Sequence, residues 1–375
     1  MNKKKLSILS LGVLIAGMAT AQQKHRANPS VKTSKVAVQG FNYKTKAEET
    51  YKNINSYFTD RKTGLYFETT DTVHRENIHS WLWPLCALVQ AANEMERLHP
   101  GKKYMEPVVK AIDQYYNKSK PAAYQDYVTA ERLSSRFYDD NQWIAIAYLD
   151  AYRRTHKPKY LQVAKMIYTF MMSGADQQAG GGLYWKEGDH STKNTCSNGP
   201  AILVALELYK TTKEQRYLKT AKEVYNWTSK TLQSEDGLFY DNIKIPSLKL
   251  DKAFYTYNAG TMLQSNVLLY EITKEKKYLV EAQKIAGAAK DYFYKKDRLP
   301  SHYWFNAVML RGYVALYQID QNKDWIDFYK QDALRIWEKE RDEQGLLGKK
   351  DTKSLIDQAG MAEIYARLAL LTSKN

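Results

Sequence analysis

The strongest constraint in this chain is an alternation. Two kinds of helical segment take turns along it six times. One kind reads AEETYKNINSYF, KYMEPVVKAIDQYYN, KYLQVAKMIYTFMM, RYLKTAKEVYNWTSKTL, KYLVEAQKIAGAAKDYFY and DWIDFYKQDALRIWEKE. These segments share an aromatic residue near the start, charges on one face and apolar residues on the other, the pattern of helices with one wet side. The other kind reads HSWLWPLCALVQAANEM, DDNQWIAIAYLDAYRR, SNGPAILVALELYKTT, NAGTMLQSNVLLYEIT, WFNAVMLRGYVALYQI and DQAGMAEIYARLALLT. These are richer in small and apolar residues and carry less charge, so they belong where more sides are covered. No alternating run marks a β-strand.

Landmarks at the starts of the second set are Asp139, Asn198, Asn258, Asn306 and Gln358, spaced by 59, 60, 48 and 52 residues. Trp81 opens the first member, 58 residues before Asp139. A recurring supersecondary unit at this period is the signature of a repeat architecture. Six pairs with one set more buried suit an all-α fold, a closed (α/α)6 toroid with the second set as its inner ring. An open solenoid is the competitor, with shorter repeats and a more uniform concave face. Four of the outer-to-inner links contain a glycine-leucine pair, in DRKTGLYF, QQAGGGLYW, SEDGLFYD and EQGLLG. These links are longer than the returns. Loops on a rigid scaffold carry function, so the active face is expected where the inner helices begin.

The first residues, MNKKKLSILSLGVLIAGMATAQQ, show a basic start, a short apolar run and a small-residue cleavage site, the marks of a secretory signal peptide. Cleavage is expected near Ala21. The predicted organisation is a signal peptide over 1–21, a polar leader over 22–44 and one catalytic domain over 45–375. The chain is then exported, periplasmic or secreted. No later stretch is long and apolar enough to span a bilayer. Cleavage removes three lysines and no acid, so the net charge falls from +15 to +12. The remaining lysines are scattered, without an arginine-rich stripe, which reads as a solvated surface and not a nucleic-acid site. The two cysteines, Cys86 and Cys196, lie in apolar contexts far apart and are expected as buried thiols. No cysteine or histidine spacing resembles a zinc site. No metal or cofactor is expected, and the protein is expected to be a monomer.

One inner segment opens on two acids, Asp139 and Asp140. In a ring the inner helices all point one way, and their N-termini share a floor rich in unpaired N–H groups and partial positive charge. Such a floor is expected to keep a carboxylate ionised. Two neighbouring carboxylates cannot easily both ionise, so one remains charged while the other's pKa rises. That gives one nucleophile and one acid at a single pH, as retaining glycosidases need. The plainer alternative is an N-cap plus a dipole-complementing acid. Other polar groups fall on the same floor: Asn141, Asn194, Asn198, Tyr257, Asn258, Asn306 and the Asp357-Gln358 pair. Asn and Gln bring donors and acceptors together, which suits sugar hydroxyls. Tyrosine occurs 30 times and tryptophan 8 times. Trp81, Trp83, Trp143, Tyr184, Trp185, Tyr240, Tyr257 and Trp304 lie at or near inner-helix starts, and aromatic rings pack on the apolar faces of sugars. Tyr184 and Trp185 follow a triple glycine and are favoured as ligands.

FYDDNQW, then GGGLYW, KNTCSNGPA, YTYNAG and DQAGMAEIYARLA, in that order from about residue 45 to the C-terminus, resemble glycoside hydrolase family 76. The resemblance implies a double six-helix ring and retaining, endo-acting cleavage of α-1,6-mannan, the backbone of fungal cell-wall mannan. It implies Asp139 as nucleophile and Asp140 as acid/base. Two departures bear on subsites. A second tryptophan often follows the aspartates in the family, whereas Ile144 follows Trp143 here. The usual TYNQG-like stretch reads TYNAG, with Ala259. Competing readings are a helical-ring hydrolase of different linkage, such as an unsaturated-uronide hydrolase, and a glycan-binding protein that has lost catalysis. A sugar epimerase on a similar ring would call for histidines at these helix starts, where only His79 falls, and the export signal disfavours it.

Overall fold

The computed structural model describes residues 40–71, 73–74 and 77–372. The signal peptide and nearly all of the leader expected from the sequence lie outside these residues. Among the described residues, twelve α-helices follow one another. The odd-numbered ones are α1 (Tyr43–Tyr57), α3 (Met105–Asp113), α5 (Pro158–Met172), α7 (Gln215–Leu232), α9 (Lys276–Phe293) and α11 (Asp324–Lys339). The even-numbered ones are α2 (Leu82–Leu98), α4 (Tyr138–Thr155), α6 (Thr195–Thr212), α8 (Thr256–Thr273), α10 (Tyr303–Asp320) and α12 (Leu355–Thr372).

The even helices pack in the order α2, α4, α6, α8, α10, α12, and α12 returns to pack on α2. This closed inner ring, with the odd helices outside it, is an (α/α)6 toroid. Each inner helix also packs on the outer helix that follows it, and α12 packs on α1, so the sixth hairpin joins the two ends of the fold. The burial pattern matches the alternation in the sequence. All of Thr195–Leu208 in α6 is buried, whereas α7 buries one stripe that includes Tyr217, Ala221, Val224, Tyr225 and Thr228. None of the described helices is long and apolar enough to cross a membrane.

The short returns share one device. His156, Lys213, Lys274 and Gln321 end α4, α6, α8 and α10 in the left-handed region, with φ of 55°, 63°, 61° and 57°. Each donates its N–H to the carbonyl of a tyrosine four residues earlier: Tyr152, Tyr209, Tyr270 and Tyr317. That bond satisfies a carbonyl the helix end would otherwise orphan.

Strands are also present, which the sequence pattern does not suggest. β1 (Tyr116–Asn117) pairs with β2 (Ala123–Tyr124). β3 (Thr192–Asn194), β4 (Tyr240–Lys244) and β5 (Leu250–Phe254) form an antiparallel sheet in that order. These strands are short and mix polar with apolar residues on both faces, so no period-2 pattern survives. The sheet joins the links before α6 and α8.

Inner helices approach closely through glycine. A Cβ at Gly360 of α12 would lie 2.5 Å from the backbone nitrogen of Trp304, and one at Gly260 of α8 would overlap the backbone of Met309. A Cβ at Gly312 of α10 would lie 2.7 Å from the carbonyl oxygen of Gly260. Because the obstacle is backbone, Gly360→Ala should destabilise the fold by about 3 kcal/mol, the upper range for overpacking. Gly287 on outer helix α9 meets nothing within 4 Å. Gly287→Ala should therefore stabilise by about 0.5–1 kcal/mol through helix propensity. Urea unfolding of the two variants checks the contrast.

Candidate active site

The N-terminal ends of the inner helices surround a cavity of about 700 Å³. The second residue of five of them lines it: Trp83 of α2, Asp139 of α4, Cys196 of α6, Tyr257 of α8 and Trp304 of α10. The floor is thus one position of the repeat, read around the ring. The links add the walls. Trp81 and Asp126 stand near α2, Phe137 and Trp185 near α4, and Thr192, Asn194, Asp241, Asn242 and Tyr255 along the β3–β4–β5 side. Asp140, Trp143 and Phe305 complete the lining. It therefore contains four carboxylates and no basic side chain.

Neither aspartate of the pair is an N-cap. Phe137 holds that position, and Asp139 and Asp140 sit in the first turn of α4. Asp139 accepts a hydrogen bond from the Trp185 indole Nε1 at 3.0 Å and from the Asp140 backbone N–H at 3.1 Å. Burial nevertheless pushes the Asp139 carboxyl up to about 6, against the pull of Trp185 and Cys196. Burial holds Asp140 well above the ordinary carboxylate range, and repulsion from Asp139 and Asp126 adds to it. The partial positive charge of the helix N-termini does not by itself set these values. Desolvation outweighs that partial charge for both groups.

Asp126 and Asp241 line the same cavity. Burial raises both of their pKa values. Asp241 accepts from Asn242 Nδ2 at 2.8 Å. Asp126 is stitched to the start of α2 by its carbonyl, which accepts the Leu82 N–H at 2.8 Å. Behind Trp81 the Arg132 guanidinium lies 4.9 Å from its ring. Across the floor, Trp304 meets Trp83 at 6.1 Å and Trp143 at 5.6 Å, edge to face. Four polar atoms of the lining are buried without a protein partner: Asp126 Oδ1, Asn194 Oδ1, Asn242 Oδ1 and Trp304 Nε1. Buried polar atoms are normally satisfied, and the hydroxyls of a polyol would supply what these atoms lack.

The structure sorts the polar residues expected here. Trp185, Asn194, Tyr257 and Trp304 line the cavity with the aspartates. Asn141, Asn198, Asn306 and Gln358 do not; they are the fourth residues of their helices and turn away into the walls. Asn141 accepts from the Tyr124 N–H at 2.8 Å and donates to its carbonyl at 2.9 Å. Asn198 does the same to Leu183, and Gln358 to Leu347. Each side-chain amide thus serves as a strand partner for a link residue; Leu183 is the leucine of a glycine-leucine pair, and Leu347 directly follows the pair Gly345-Leu346. Asn306 accepts from Thr256 Oγ1 and donates to the Pro300 carbonyl. In α8 this stapling position is Ala259, so Asn258 stands one residue out of register with the other landmarks. Its amide is fully buried beside Asp241. Tyr184 is also structural. Its ring stacks on His190 at 4.5 Å, its hydroxyl donates to Asp176, and Lys193 Nζ lies 4.6 Å from its centroid.

Asp126, Asp241 and Asn242 carry no helical landmark, which is why the repeat does not reveal them. Asp241 does follow GLFY, and the glycine-leucine links are the one signal that points to it. Both cysteines are free and buried.

The family model for glycosyl hydrolase family 76 matches residues 42–374. A family 76 glycoside hydrolase (mannosidase) of Bacteroides thetaiotaomicron is 28% identical with a TM-score of 0.81, covering 89% of this chain and 100% of that one. A GH76 alpha-mannanase from the same organism is 26% identical with a TM-score of 0.84, covering 91% and 99%. The mannan endo-1,6-alpha-mannosidase DCW1 of Candida glabrata is 29% identical over 164 residues, which is 40% of this chain and 37% of that protein. Its namesake in Saccharomyces cerevisiae is 26% identical over 185 residues, 45% of this chain and 41% of that protein. The chain thus spans about two fifths of the length of these curated relatives. With its double helical ring and a match along nearly every described residue, the chain belongs to glycosyl hydrolase family 76.

Proposed function

We propose that this protein is a retaining glycoside hydrolase that cleaves the α-1,6-linked backbone of mannan at internal bonds. The observation that carries the proposal is the carboxyl pair itself. Asp139 and Asp140 are adjacent, desolvated and held on the first turn of a rigid helix, at the floor of an aromatic-lined cavity. The relatives named as mannan endo-1,6-alpha-mannosidases and mannanases supply the linkage and the mode of attack.

In this reading Asp139 is the nucleophile. It has the lower pKa of the pair, and the Trp185 N–H aims its carboxylate. It attacks the anomeric carbon of a mannosyl unit while Asp140, whose proton burial and the charge of Asp139 help to retain, gives that proton to the departing oxygen. A mannosyl-enzyme ester forms. Asp140, now a carboxylate, takes a proton from a water that attacks the same carbon and releases the sugar, which restores both groups. Trp83, Trp143 and Trp304 offer faces for pyranose rings. Asn194, Asp241 and Asn242 offer acceptors and donors for hydroxyls. The protein acts as an exported monomer, with 45–375 as a single catalytic domain behind a cleaved signal peptide.

Asp139→Asn and Asp140→Asn should each lower turnover of α-1,6-mannan by about 10³-fold or more, in line with losing a nucleophile or a general acid. Product sizes read by chromatography decide the mode of attack, with long fragments early for endo action. Near-normal turnover in either variant removes that residue from its role.

The pH profile follows from the pair. kcat/KM should rise with a limb near pH 6 as Asp139 ionises and fall at higher pH as Asp140 loses its proton, a bell-shaped curve.

Stability should run the other way. Both folded pKa values lie above the unfolded value of about 3.9. The neutral acids are therefore favoured in the fold, and stability falls as pH rises from about 4 through the folded values. Asp140→Asn has no such dependence at that position. Calorimetry should show it unfolding above the unsubstituted protein at pH 8, with the gap closing towards pH 4.

A further inference from the structure

The Trp185 indole bonds Asp139, yet it stands on a link and 40% of the residue is exposed. The segment just ahead of α4 fixes it. The Glu187 N–H donates to the Arg136 carbonyl and the Tyr138 N–H to the Trp185 carbonyl, each at 3.0 Å, with Phe137 and Lys186 paired between them. The Trp185 ring rests on Phe137, their centroids 4.9 Å apart. One side chain locks this short ladder. Arg136 is 6% exposed, and its Nε donates to one carboxylate oxygen of Glu187 at 2.7 Å while its Nη2 donates to the other. Its Nη1 donates to the carbonyls of Ser119 and Pro121, both at 2.8 Å, in the link before α4.

We propose that Arg136 is a positioning residue for the nucleophile: its fork on Glu187 pins the Trp185 link to the start of α4, which keeps the indole N–H on the Asp139 carboxylate.

The cavity gives this clamp its importance. No lysine, arginine or histidine lines it, so charge on Asp139 is held by neutral donors, of which the Trp185 indole is one at 3.0 Å. A donor aimed at a reacting group works only if its own support is rigid. A bidentate, charge-assisted pair supplies that rigidity, since it fixes direction as well as distance. A lysine at the same place would keep the charge but lose the fork. Arg136 lies three residues before Asp139, so the clamp and the carboxylate share one short stretch of chain, RFYDD. Arg136 does not line the cavity, so it acts through Trp185 and not on the substrate. The other titratable groups at this point are Asp126, Asp140, Asp241, Cys196 and Tyr257 of the lining, with Lys186 beside Phe137, and the variants below leave them all in place. The proposal rests on Asp139 being the nucleophile, and its test separates the two.

The experiment is the pH dependence of kcat and kcat/KM on an α-1,6-mannan oligosaccharide. It compares the unsubstituted protein with Trp185→Phe, Glu187→Ala, Arg136→Lys and the double variant Trp185→Phe/Glu187→Ala. Removing a donor to a carboxylate raises its pKa. Trp185→Phe should move the ascending limb up by about half to one pH unit and lower kcat about 10-fold or more. Glu187→Ala and Arg136→Lys, which leave the indole but loosen its support, should move the limb the same way by less. The double variant should sit where Trp185→Phe sits, because a clamp acting through the indole then has nothing left to position. A limb unmoved in Trp185→Phe or in Glu187→Ala, or shifts that add in the double variant, overturns the proposal. A merely structural ion pair would lower thermal stability in both backgrounds and leave the limb where it is. If Arg136→Lys does not fold, the Glu187→Ala limb decides, since that side chain is 34% exposed and its truncation is the milder change. An Asp139→Asn variant with near-normal turnover would instead overturn the catalytic reading, whatever the clamp variants do.

Discussion

Closure of the inner ring is the constraint on which the rest of this structure depends. Six helices can aim their N-termini at one floor only if the last packs on the first, and α12 does so against both α2 and α1. Glycine at the α8–α10 and α10–α12 seams lets backbones touch. At the opposite end of the ring the interior is filled by charge. Arg311 of α10 reaches across to Asp150 of α4 at 2.8 Å, and Arg367 of α12 binds Glu94 of α2 at 3.0 Å and Glu363 at 2.8 Å. Burial alone would raise Asp150, yet Arg311 and Arg153 outweigh it and hold the carboxyl at about 2. Removing one member would leave a buried charge uncompensated, so such a network is costly to break whatever its net stabilisation.

The two ends of the ring treat carboxylates in opposite ways. At the closed end each buried acid has an arginine. At the open end four acids share a cavity without a cation, and desolvation raises the pKa of all four. A scaffold selected for stability alone would not place uncompensated acids on a buried floor. Functional sites are where such violations collect, because a poised acid must be less well solvated than an idle one. The rigidity supplied by the closed end is what holds the unfavourable arrangement at the other.

Much of this was legible in the sequence, because the repeat is written in side-chain burial. The six inner and six outer segments, the glycine-leucine links and the place of Asp139 and Asp140 all follow from helical periodicity. What periodicity cannot show is which way an amide points. Asn141, Asn198 and Gln358 look like sugar ligands, since asparagine and glutamine at a helix start can serve a hydroxyl or a backbone equally well. Their fourth position in the helix turns them into the wall to staple the links. The floor belongs to the second position, where residue types differ from helix to helix, so no repeated letter marks it. Asp126, Asp241 and the strands lie in links whose course is set by tertiary contacts.

The hairpin made from α12 and α1 joins segments about three hundred residues apart, and side-chain bonds from Tyr43 to the Lys330 carbonyl and from Asn53 to the Gly345 carbonyl reinforce that join. An open array of repeats can be shortened by one unit and remain sound, since each unit leans only on its neighbours. Here the first outer helix packs mainly on the last inner helix, Leu355–Thr372. Despite its sixfold pattern, the toroid therefore behaves as a single cooperative body whose assembly is completed by its most distant segments, like a bracelet that has no shape until clasped.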